Sequence, residues 1–254
     1  MFIVYLLKVD LINFIPMKSF FLLLILIIVP NQTFAQMFSV GEPASDPRNP
    51  SSTYFRMGLS PVNFNFTGEN SSLTPSERLD FESTALTLIF ENPALNASLS
   101  FANGLTGADE EKYLNLSIDY LNRLSFVRSQ NIQAGIPFGL NSNLVSVRND
   151  QENNDFSQTV VAFGAGAFLS FTNSRQFSFV IEGIPAYGFS NSKGGLFGGS
   201  NKSLLLRTRL NFLSLIGNKG LSLGYDYKFS SYDLDVDDFD YDLTYHRLTL
   251  GISL

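Results

Sequence analysis

Between Thr159 and Phe189 the sequence alternates twice, and few folds accept such a pattern. In the first run Val161, Phe163, Ala165, Ala167, Leu169 and Phe171 fall on one face, with Val160, Ala162, Gly164, Gly166, Phe168 and Ser170 on the other. After a polar corner at Thr172-Asn173-Ser174-Arg175, Phe177, Phe179, Ile181, Gly183, Pro185, Tyr187 and Phe189 alternate with Ser178, Glu182, Ala186 and Gly188. Side chains of a strand point alternately to its two sides, so each run is a strand with one apolar face and one small or polar face. Both runs exceed the usual strand of about 5–6 residues and match the ~9–11 that cross a bilayer at a tilt. Long apolar-faced strands joined by a tight corner are the repeating unit of a membrane barrel.

The pattern recurs along the chain. Strands are expected at Tyr54–Phe66, Asp80–Glu91, Leu95–Ala102, Lys112–Tyr120, Ser125–Leu140, Ser203–Leu213, Leu221–Ser230 and Thr244–Leu254. With the two strands above they make about ten, eight being the smaller alternative. Within the first, a slip at Pro61 is expected to turn Val62, Phe64 and Phe66 outward, because proline removes a ladder donor and favours a bulge. A corner is expected near Asn122, and the longest loop over Asn141–Ser157. Long connections alternate with short ones. The expected fold is therefore all-β, a transmembrane antiparallel up-and-down barrel over 54–254. Composition agrees: charged residues are 16% of the chain, below the ~25% of soluble domains, and there are 25 Phe and 19 Gly. Net charge is −6, which leaves no basic stripe for nucleic acid. There is no cysteine, so disulfides, thiolate metal sites and a lipidated cysteine are excluded.

Ahead of the barrel, Met17-Lys18, the apolar run Phe20–Val29 and Thr33-Phe34-Ala35 have the order of a secretory signal, with cleavage expected after Ala35. Residues 1–16 read as an upstream extension, with translation starting at Met17 or Met1. Residues 36–53, with three prolines, read as a flexible periplasmic lead-in. Signal, alternating strands, loop asymmetry and a final strand together resemble the small single-chain outer-membrane β-barrel proteins of Gram-negative bacteria. The resemblance implies residence in the cell outer membrane, contact with its lipid and dependence on the barrel-assembly machinery. Members of that family usually end in an aromatic residue, where this sequence has Leu254.

Inward positions carry Arg56, Asp119, Glu182, Arg207, Arg209, Asp226, Lys228 and Arg247. Charges in a narrow lumen must pair or stay wet, because an unpaired ion away from water costs several kcal/mol. A ladder of ion pairs that fills the barrel is expected; a charged constriction passing small solutes, porin-like, is the alternative. Ten strands enclose little more than side chains can fill. The acidic stretch Asp233, Asp235, Asp237, Asp238, Asp240 and Asp242 is a solvated loop or, as oxygen ligands, a Ca2+ site, although the EF-hand glycine is missing. No other cofactor is expected. His246, the single histidine, falls on the outward face with Leu248 and Leu250; a hydrolase built on it is the third reading. The expected function is non-enzymatic: a structural barrel, or one that binds a ligand or an extracellular or periplasmic partner through five outer loops.

Overall fold

The computed structural model describes residues 53–68, 79–106, 111–150, 154–173, 177–192, 198–216, 219–234 and 240–254. The signal at 17–35 and the lead-in up to residue 52 lie outside them. The strands are β1 (Tyr54–Phe66), β2 (Phe81–Glu91), β3 (Leu95–Ala102), β4 (Glu111–Arg128), β5 (Ile132–Asn149), β6 (Asn154–Ala165), β7 (Ala167–Asn173), β8 (Phe177–Ser192), β9 (Gly199–Ile216), β10 (Lys219–Leu234) and β11 (Tyr241–Ser253). Segments β6 and β7 are one strand interrupted at Gly166, whose N–H donates to the Pro137 carbonyl at 3.0 Å. Both segments pair with β5 on one side and β8 on the other, so eleven segments make ten strands.

Every strand pairs antiparallel with its neighbours in sequence, and β1 pairs with β11 to close the sheet into a barrel. Closure leaves the barrel wall without an edge strand, which is the condition for a sheet to cross hydrocarbon. Strand alternation then assigns the faces. Outward positions form an exposed apolar band that includes Met57, Leu59, Leu116, Phe138, Val161, Phe163, Leu206, Leu223, Leu248 and Leu250, with Leu248 68% exposed. Exposure of that extent has no place in water and a natural one in lipid.

Three expectations need correction. First, no slip occurs at Pro61. Pairing with β2 runs without a break from Leu59↔Leu86 through Pro61↔Thr84 to Phe64↔Phe81. Val62 and Phe64 therefore stay on the inward face of Arg56 and Ser60, at 2% and 0% exposure, and Phe66 packs half-buried against them. Proline lacks only its own N–H, and the strand continues straight past it. Second, no corner forms near Asn122. β4 runs on to Arg128 and turns at 129–131, where the Ser129 N–H and hydroxyl both donate to the Ile132 carbonyl. The irregular spacing there reflects a bulge between Ser125 and Val127, which breaks the alternation without ending the strand. Third, Asn141–Ser157 is not a long loop: β5 reaches Asn149 and β6 begins at Asn154. Its Asn and Ser side chains are strand residues, with Asn141 and Asn143 on the inward face.

The first and third corrections share one cause. Toward the long-loop end the chemistry of the two faces inverts. Outward positions become Asn63, Asn65, Glu82, Thr84, Arg148, Asp155, Ser157, Asp233 and Asp242, while Phe64, Phe81, Tyr113, Val145, Val147, Phe156, Tyr232, Tyr241 and Leu243 are buried inside. The barrel wall continues past the apolar band as a collar, polar outside and apolar within, like a small soluble barrel.

Candidate functional site: the filled lumen

Below the apolar core, toward the short-turn end, the lumen is a network of ion pairs. Arg209 grips Asp226 with two N–H groups at 2.6 and 3.3 Å, and its Nε donates to Glu91 Oε2 at 2.9 Å. Glu91 Oε2 also accepts from Arg56 Nε at 3.0 Å, so a single carboxylate joins β1 to β9. Arg207 donates to Glu182 at 2.9 Å and to Asp119 at 3.0 Å, and Arg123 meets the second oxygen of Glu182 at 3.0 Å. Asp119 accepts in addition from the Asn141 amide. Arg56 completes its shell with Ser222 Oγ at 2.6 Å.

The backbone makes room for these guanidinium groups. A Cβ added at Gly251 would lie 2.6 Å from the Arg56 side chain, and one at Gly224 would lie 3.3 Å from its Nη1 and 3.1 Å from that of Arg209. Glycine at these two inward positions lets long cations lie across the lumen.

All eight lumen residues read from the sequence point inward and lie in or beside this network. Sequence reasoning missed Glu91 and Arg123. Glu91 ends its strand just before Asn92-Pro93 and reads as part of a turn; Arg123 falls where a corner was expected. Counting inward positions from Thr87 and from Asp119 would have found both. Of the acidic stretch, Asp235, Asp237 and Asp238 lie outside the described residues. Asp233 is exposed and accepts from Ser200 Oγ at 3.4 Å, while Asp240 accepts the Leu234 N–H at 3.0 Å as a turn residue. No group of three or more potential metal ligands occurs among the described residues. His246 is exposed on the outer wall, its Nδ1 hydrogen-bonded to the Tyr225 hydroxyl at 2.9 Å and its ring 5.1 Å from that of Tyr227.

Contacts across the lumen decide how open it is. In the ring of ten strands β1 and β6 stand opposite one another, yet the rings of Phe64 and Phe156 are 4.7 Å apart, centroid to centroid. Tyr241 stacks on Phe64 at 4.9 Å and Tyr232 meets Phe156 edge-on at 5.5 Å. Lower down, Arg207 of β9 reaches Asp119 of β4, four strands away. Side chains bridge the full bore at both levels.

A closed antiparallel sheet, an apolar exterior and a polar, charge-paired interior are the construction by which strands span bacterial outer membranes. The chain is an outer-membrane β-barrel. No family model matches it, and no curated protein sequence is significantly similar to it. Among solved structures the barrel is similar to the outer membrane protease OmpT of Escherichia coli, at 8% identity over 81% of this chain and 97% of that one, TM-score 0.39. It is also similar to the translocator domain of the autotransporter NalP of Neisseria meningitidis, at 10% identity, 87% and 94% coverage and TM-score 0.29. A third is Ail of Yersinia pestis in complex with sucrose octasulfate, at 13% identity, 80% and 99% coverage and TM-score 0.23. Likeness this distant carries nothing about activity, and the architecture of the barrel stands on its own closed sheet.

Proposed function

We propose that this barrel is non-conducting and non-enzymatic, and that it works through its extracellular rim as a structural element or a receptor for a ligand or partner. The observation that carries this is the Phe64–Phe156 contact between opposite strands, backed by Tyr241 and Tyr232. A channel needs a continuous wet path, and aromatic rings packed above a layer of ion pairs argue against one. The collar around that core is polar outside, which suits it to stand clear of the bilayer and carry the five connections at its end into the medium. An enzyme using His246 would have to work on the outer wall, where the histidine shares a shallow hollow with Pro61, Asn63, Glu82 and Thr244.

Planar-bilayer recording tests the reading. The expected result is electrical silence from the native barrel, with conductance appearing when Phe64 and Phe156 are both replaced by Ala. Discrete conductance steps from the native protein, altered in the Arg207→Gln variant, would sink it in favour of the channel.

A further inference from the structure

On the outer wall, strands β11, β1 and β2 carry a hollow of about 710 Å3 where the band meets the collar. Asn63, Asn65, Glu82, Thr84, Thr244 and His246 line it. Register fixes their order. Thr244, Asn63 and Glu82 form one row across three strands. Val62↔Tyr245 and Pro61↔Thr84 set His246 and Thr84 one outward step below that row. The next step down is Leu248 beside Leu59, 68% and 57% exposed, where the apolar band begins. A polar hollow thus sits directly above bare lipid-facing side chains, at the depth of the headgroups.

Two groups in the hollow have polar capacity left over. His246 is held at the edge of the band by two tyrosines of β10: the Tyr225 hydroxyl lies 2.9 Å from Nδ1, and the Tyr227 ring is 5.1 Å away. With the phenol donating to Nδ1, the imidazole proton sits on Nε2, which has no partner among the described residues and is left to donate. Glu82 is exposed and has no ion pair among the described residues.

The surroundings of Glu82 carry one sign of charge. In the collar Asp233, Asp242 and Glu82 face outward on β10, β11 and β2. Among the described residues no Lys or Arg faces outward there, on these strands or on β1. Glu82 and His246 stand two strands and one outward step apart, about 12 Å at the backbone. Side chains reaching in from both ends leave a gap that a phosphate with an ammonium on a two-carbon arm spans. A lone phosphate or a lone ammonium does not span it.

We propose that this hollow binds the phosphoethanolamine headgroup of a membrane lipid, its ammonium on Glu82 and its phosphate on His246 Nε2, with the acyl chains along Leu59 and Leu248. Charge selects the class. A carboxylate in an acidic stretch of wall attracts an ammonium and repels a headgroup that is only anionic.

The whole barrel is placed in detergent micelles with equal amounts of phosphatidylethanolamine, phosphatidylcholine and phosphatidylglycerol of the same acyl chains, and retained lipid is weighed by native mass spectrometry. The expected result is one retained lipid, phosphatidylethanolamine exceeding phosphatidylglycerol by about three- to tenfold, as one charge-assisted contact allows. Phosphatidylcholine, whose ammonium has no N–H to donate, should fall between. Glu82→Gln should erase the preference. His246→Phe should lower retention of all three lipids together, since the phosphate is common to them. Asp155→Asn, on β6, should change neither. Equal retention of the three lipids, a preference that survives Glu82→Gln, or undiminished retention in His246→Phe would overturn the proposal. So would displacement of the lipid by equimolar soluble glycerophosphoethanolamine, which would make the ligand a free solute. Glu82 and His246 are both exposed, so the substitutions leave the fold in place. No readout depends on conductance, so the test stands apart from that of the closed lumen.

Discussion

Leu250 and Asn63 occupy equivalent positions on paired strands: both point outward, one in the apolar band and one in the collar. Their inward neighbours are reversed in kind. Beside Leu250 the interior holds Thr249, Gly251 and the Arg56 network; beside Asn63 it holds Val62 and Phe64. The same alternation therefore runs through two solvents. In the band the hydrophobic effect drives apolar groups outward, because lipid lies there and the interior must hold charges by pairing them. In the collar water lies outside, so apolar groups turn inward and pack. Strand geometry is continuous across the boundary, and only the surroundings change. A pattern of alternation fixes which residues share a face, but the solvent decides which face is apolar.

The sharpest way to break this comparison is inside the lumen. Phe156→Ala, in the collar core, and Glu182→Gln, in the ion-pair layer, should each cost about 3–5 kcal/mol, but by different mechanisms. Phe156→Leu should recover most of the loss because it refills volume. Glu182→Gln takes the carboxylate from Arg123 and one of several from Arg207, which keeps Asp119, and should recover in part when Arg123→Gln is added. Urea unfolding midpoints of the four variants check this, and rescue of Glu182→Gln by a bulkier neutral residue would count against the ion-pair account. A smaller effect is expected on the outer face: Leu250→Arg, in the band, should cost about 2–4 kcal/mol in lipid vesicles. The smallest sharpens the contrast. Asp155→Lys, outward in the collar, should change stability by less than about 0.5 kcal/mol, since both residues are hydrated there. If the collar position proved as costly as the band position, the boundary between the two regions would be misplaced.

Much of the architecture was legible in the sequence. The runs at 159–189 reveal their own faces, and Leu221–Phe229 and Leu248–Leu254 do the same, because their outward apolar residues lie in the band. β1 is half-legible: the slip expected at Pro61 turns Val62 and Phe64 the wrong way, because it follows their apolarity and not the continuity of the strand. Continuity of face through Pro61 was the better guide than apolarity. The lumen charges were legible as inward residues, but not their partners. Nothing in the local sequence of Glu91 says that Arg56 converges on it from the neighbouring β1 and Arg209 from the more distant β9. The inversion at the collar leaves a signal that can be looked for: polar residues taking over the apolar face of consecutive strands at one end.

The seam between β1 and β11 has a consequence for topology. The amide of Leu254 donates to the Thr53 carbonyl at 2.8 Å, so the two ends of the described barrel are one hydrogen bond apart. A ring stitched entirely between sequential neighbours has no privileged starting point. A circular permutant with those ends joined and the chain cut in the short connection after Asp150 would keep every strand pair, and should assemble into the same cylinder.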